Sequence, residues 1–204
     1  VVTGGNVNEL RELLDTYDDV TERQLNDIGR KALHVAADVG DFDVAKVLIQ
    51  NGADVNAVDK DNWTSLHIAA GNGNVDVAKL LIQNGAEVNA VDEAKRTSLH
   101  LVADYGHVDV AKLLIQNGAD VNAVDEWKWS VLCYASCRSK SVPITLELLC
   151  SGAKIDKTTL KEDNTGLLVQ IENKLEKLRN GDHRIMNLCS NEENKYKWNL
   201  AFCL

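Results

Sequence analysis

The segment from Val75 to Val91, VDVAKLLIQNGAEVNAV, recurs from Val108 to Val124 with one change, Glu87 becoming Asp120. A third copy, DVAKVLIQNGADVNAV, runs from Asp43 to Val58, and the pairs Leu33-His34, Leu66-His67 and Leu99-His100 step by 33 residues. A period of this length excludes most globular architectures. A unit this short cannot bury its own apolar face, so each copy must stack on the next, and the chain grows as a linear array.

Within the period the punctuation is helical. In the second unit Thr64 stands where its hydroxyl can cap free amides, and Leu66, Ala69 and Ala70 form an apolar face that Gly73 closes. A second helix is expected from about Val75 to Asn84, with Val77, Leu80 and Leu81 spaced to face inward. Gly85 ends it by accepting a left-handed conformation, and Gly52, Gly118 and Gly152 occupy the same place in the other units. Each unit therefore reads as loop, short helix, turn, second helix.

Thr64-Ser-Leu-His-Ile-Ala-Ala, Thr97-Ser-Leu-His-Leu-Val-Ala and the Asn-Gly-Ala-Asp-Val-Asn segments resemble the ankyrin repeat over roughly three quarters of the chain. The resemblance implies an all-α solenoid of helix-turn-helix units with hairpin-like loops, here followed by a C-terminal helical extension. Residues 1–25 read as an N-terminal half-repeat cap, 26–157 as four repeats, and 158–204 as the extension. Both ends of the chain read as cut. In the extension, Thr159 with Glu162 suggests a capping box, and Leu168, Ile171, Leu175 and Leu178 form a helical stripe. A further helix would carry Tyr196, Trp198 and Leu200.

The family also implies structural roles for His34, His67 and His100, whose imidazoles would bond within and between loops, and for the amides of Asn56, Asn89 and Asn122. Departures from the family pattern are informative. Its proline after threonine is replaced by Ala32, Ser65, Ser98 and Val131; in repeat four Cys133 stands for His, Ser139 for Gly, and one residue is inserted before Gly152. That repeat is expected to be the irregular end of the array.

Charge narrows the partner class. The chain carries −9, with 22 basic and 31 acidic residues; residues 157–204 hold 8 basic and 7 acidic, leaving 14 against 24 on the repeats. An acidic solenoid without a basic stripe repels phosphate backbones, so nucleic acid is disfavoured. No apolar run is long enough to span a membrane. Five cysteines, Cys133, Cys137, Cys150, Cys189 and Cys203, are odd in number and irregularly spaced, which suits a reducing compartment. Cys133 and Cys137 share a helix face, but no second pair follows at metal-finger spacing, so no metal or other cofactor is expected.

Catalysis finds little support. There is no glycine-rich phosphate loop and no HExxH, and Cys189 near His183 lies on a loop that fixes no geometry. The near-identical copies instead differ at their loop tips and first helices. The varied residues are Lys60, Asp61, Trp63 and Asn72 in repeat two; Glu93, Arg96, Asp104 and Tyr105 in repeat three; and Glu126, Trp127, Trp129 and Arg138 in repeat four. In the family such positions line the concave face that grips partners. Trp63, Trp127 and Trp129 are expected to project as an aromatic strip with an acidic rim. The expectation is a non-enzymatic scaffold or adaptor, monomeric, intracellular and cytoplasmic, binding a protein. Alternatives are a regulatory or targeting domain of a longer protein, such as a microbial effector delivered into a host cell, and a non-catalytic part of an enzyme.

Overall fold

A computed structural model describes residues 30–139, 141–155 and 166. The half-repeat at 1–25, the extension at 158–204 apart from Gly166, and the residues singled out there, Cys189, Cys203 and His183 among them, lie outside the described residues. Helices come in pairs: α1 (Ala32–Val39) with α2 (Phe42–Gln50), α3 (Ser65–Asn72) with α4 (Val75–Gln83), and α5 (Ser98–Tyr105) with α6 (Val108–Gln116). A fourth pair is α7 (Val131–Cys133), prolonged by a π-turn over Tyr134–Arg138, with α8 (Val142–Cys150). First helices stack on first helices and second on second, giving two rows. Among the described residues β-pairing is confined to isolated bridges, Val58 with Thr64, Val91 with Thr97 and Val124 with Ser130, which pinch each inter-repeat loop into a finger.

The expected apolar faces are the buried ones. Leu66, Ala69 and Ala70 of α3 and Val77 and Leu81 of α4 are closed off, and Leu33, Leu99 and Leu132 repeat the position of Leu66. All four first helices begin at the residue that replaces the family's proline: Ala32, Ser65, Ser98 and Val131. Thr64 caps α3 through its hydroxyl, which accepts from the His67 amide at 3.3 Å, while the Thr64 amide donates to Nδ1 of the His67 ring at 3.2 Å. Gly73 has φ +75°, and it also admits the next repeat: a methyl there would lie 2.6 Å from His107 Nδ1. His107 uses the space to donate from Nε2 to the Gly71 carbonyl at 2.9 Å.

On the opposite edge the asparagines form a ladder. Asn56 donates to the Gly85 carbonyl (3.0 Å) and accepts from the Glu87 amide (2.8 Å); Asn89 does the same with Gly118 and Asp120. Asn122 continues the pattern to Gly152 and Lys154, at 3.3 and 2.9 Å.

Repeat four departs where the sequence carries its extra residue. Ser139 keeps right-handed helical angles, so no left-handed cap closes the first helix; instead the Ser139 amide bonds to the Tyr134 carbonyl at 3.1 Å, five residues back. The turn widens into a π-helix, the form that an inserted residue takes when the flanking helix is held in place. Ser136 and Ser139 hydroxyls bond to the Leu132 and Ala135 carbonyls (2.8 and 3.1 Å), and the Ala135 carbonyl also accepts from the Ser141 amide at 3.0 Å.

Candidate functional site

The fingers are held from within by a carboxylate that recurs every 33 residues: Asp59, Asp92 and Asp125, all buried. One oxygen of each accepts the amide four residues on, from Trp63 (2.9 Å), Arg96 (2.8 Å) or Trp129 (2.8 Å). The other oxygen meets a different donor each time. Arg30 supplies a guanidinium to Asp59 at 3.5 Å, Arg96 reaches Asp92 at 2.7 and 2.8 Å, and the Tyr134 hydroxyl donates to Asp125 at 2.8 Å. Burial and this bond raise the Tyr134 pKa above the ordinary phenol range.

Behind each finger sits a buried imidazole. His34 Nε2 donates to the Trp63 carbonyl (3.0 Å) and His67 Nε2 to the Arg96 carbonyl (3.2 Å), so each ring joins two successive loops. His100 breaks the series. Its Nδ1 accepts from the Thr97 amide at 3.1 Å, but Nε2 is buried without a hydrogen-bond partner, and the ring meets the edge of Tyr134 at 5.3 Å. Burial lowers the pKa of all three rings, that of His100 to about 4. These histidines are neutral parts of the frame at physiological pH.

Between the finger tips lies a groove of about 510 Å³. Five of the residues singled out from sequence line it: Asp61, Trp63, Glu93, Arg96 and Glu126. Arg30, Asp59, Asp92 and Ala94 complete the lining. The tips are tied by backbone bonds, Glu93 amide to Asp61 carbonyl (3.1 Å) and Glu126 amide to Ala94 carbonyl (3.0 Å), which fix the spacing of the rim.

The three indoles do not form one projecting strip. Trp127 is 62% exposed, but Trp63 and Trp129 are half-buried and lean on the core. Trp63 is covered by the next repeat, with the Arg96 guanidinium 5.7 Å from its ring centre, and Trp129 packs edge-on against Tyr134 at 6.0 Å. An indole beside a neighbouring repeat buries area that water would otherwise cover, and nothing at these two positions holds it outward.

The first-helix residues are engaged across the stack. Asn72 donates to the carbonyl and side chain of Asp38 (3.0 and 2.9 Å), and Arg138 pairs with Asp104 at 2.6 Å while lying over the Tyr134 ring. Tyr105, 61% exposed, passes near Gly71 and His107. Lys60 is exposed at its finger tip. So Asn72, Asp104 and Arg138 help to join repeats, whereas Tyr105, Lys60 and Trp127 lie at the surface outside the groove lining.

Sequence reasoning missed Arg30, Asp59 and Asp92. Their signal was present: Asp59, Asp92 and Asp125 are the same letter at the same 33-residue step. Chemically the arrangement offers hydrogen bonds, an indole face and negative charge, the means of recognition. Among the described residues no three His, Cys, Asp or Glu side chains are gathered to hold a metal, and no helix is long and apolar enough to cross a membrane.

No curated protein matches the chain. The family profile described as ankyrin repeats (3 copies) matches residues 1–92 and 66–159. Such repeats generally serve as protein-interaction modules and are typically non-catalytic. The stacked helix pairs, the pinched fingers and a profile that together spans residues 1–159 make the chain a member of the ankyrin-repeat family.

Proposed function

We propose that the chain is a non-enzymatic adaptor that grips a partner protein across the finger tips of its repeats. The observation that carries this reading is the groove, where Asp61, Trp63, Glu93, Arg96 and Glu126 converge from three separate loops, with exposed Trp127 on the tip beside Glu126. Five positions that vary between otherwise near-identical copies support the reading by lining this one groove. Preformed rims limit the entropy lost on binding. A reducing, intracellular setting and a monomeric state belong to the same reading: Cys133 is a buried thiol inside α7.

Photo-crosslinking from residue 127 tests it, with residue 79 on the outer face of α4 as the control position. A partner captured at 127 and not at 79 is expected, and Trp127→Ala should weaken that partner by about 2 kcal/mol, as truncated aromatic anchors do. A partner held through Lys79 and the second helices, indifferent to Trp127→Ala, would falsify the assignment.

A further inference from the structure

We infer that the groove receives an extended segment with a basic side chain at every third position. The inference rests on the adaptor reading and specifies its partner. Charge is the first argument. Both guanidiniums in the groove are engaged internally, Arg96 with Asp92 at 2.7 Å and over Trp63, Arg30 with Asp59 at 3.5 Å and Asp38 at 3.7 Å. Asp59 and Asp92 are buried in those pairs. What faces the solvent is Asp61, Glu93 and Glu126, all exposed, and no cation among the described residues forms an ion pair with them. The exposed lysines of the same tips, Lys60, Lys95 and Lys128, do not line the groove, so a partner entering here meets carboxylates beside an indole, which suits the apolar stem and cationic head of Lys or Arg.

Spacing is the second argument. Glu93 and Glu126 hold the same place in successive repeats, 33 residues apart. Stacked helices lie ~8–10 Å apart, so the two carboxylates recur on about that interval. A polyproline-II segment advances ~3.1 Å per residue with three residues per turn, returning a side chain to one face every ~9 Å. A helix brings a side chain back to one face over two turns only at the seventh residue, ~10.5 Å on, beyond that interval. The interval therefore favours the extended chain, and the tied tips keep it fixed.

The test uses the full chain and three fluorescein-labelled peptides of equal length. The first repeats the triplet Lys-Pro-Pro three times; the second is its block isomer, with all the lysines placed before all the prolines; the third repeats Glu-Pro-Pro three times. Fluorescence anisotropy at low salt should show the periodic lysine peptide binding at least five-fold more tightly than the block isomer, with the glutamate peptide not bound. Glu93→Lys combined with Glu126→Lys should weaken it ten-fold or more, and the milder Glu93→Gln with Glu126→Gln should fall between. Asp76→Lys with Asp109→Lys, the same charge change on the exposed faces of α4 and α6, should change affinity less than two-fold. Equal affinity for the two lysine isomers, equal loss in the two lysine variants, or no binding by any peptide overturns the inference. A crosslinked partner at residue 127 that lacks such a segment would leave the adaptor reading intact while this one fails.

Discussion

Repeats three and four present the same loop to their neighbours and stabilise it differently. In repeat three, Asp92 is locked by its own Arg96, and the imidazole behind it, His67, completes its bond to the Arg96 carbonyl. In repeat four, Asp125 is met by a neutral hydroxyl from Tyr134, and His100 is left with an unpaired Nε2. Side-chain replacement explains the shift. The Trp129 side chain stands where that of Arg96 did but packs on Tyr134 instead of bonding to the second carboxylate oxygen, so Tyr134 from the following helix takes over and its ring crowds His100. A buried carboxylate in a repeat array thus needs a donor, but the donor's identity is free, and the cost falls on whichever group is displaced.

The sharpest way to break the comparison is to remove the carboxylates. Asp92→Ala strands a part-buried guanidinium and should cost about 3–5 kcal/mol, whereas Asp125→Ala strands a hydroxyl and should cost about 1–3 kcal/mol. Denaturant midpoints at constant slope measure both. Equal losses would show that the charge on Arg96 adds nothing beyond its hydrogen bonds.

Acid should act next in size. His100 titrates near 4 when folded because it is buried, against 6.5 when unfolded. Between those values the unfolded chain binds the proton and the folded chain does not, so stability falls as pH drops from about 6.5 and levels off below about 4. The His100 share is about 3 kcal/mol. In His100→Gln the acid slope should shrink; an unchanged slope across that same pH window would assign it to other groups.

The smallest effect distinguishes helix starts. Ser65→Pro and Ser98→Pro should each stabilise the array by about 0.4–1 kcal/mol, because proline pre-sets the first helical turn in the unfolded chain. The Ser65 hydroxyl is buried and unpartnered, so its loss costs no hydrogen bond. Val131→Pro should not stabilise, since the Val131 amide donates to the Ala123 carbonyl at 3.4 Å. Thermal midpoints of the three variants decide, and a gain at Val131 would mean that this bond contributes little.

What repeats in the sequence was legible in it. Helix starts at residues 32, 65, 98 and 131, the buried Leu66 series and the asparagine ladder follow from letters that meet the same surroundings in every unit. What varies was not, because the environment of a varied residue is supplied by another varied residue. Trp63 lies down because Arg96 covers it, and Trp129 because Tyr134 is beside it; neither pairing follows from either residue alone. The groove was half visible for the same reason: its rim is made of variable residues, and its floor of an aspartate whose recurrence was on view but whose burial was not.

The π-turn of repeat four behaves as a stacking fault with no net slip. A count of 34 where the array otherwise counts 33 would, if spread along the chain, rotate every later residue out of phase. The widened turn swallows the extra residue between Tyr134 and Ser139, and by Gly152 the Asn122 rung has found its acceptor again. The defect is therefore confined to the first-helix side of the repeat. The ladder edge keeps its rhythm, while the first-helix row has gained a local irregularity that no other described repeat possesses.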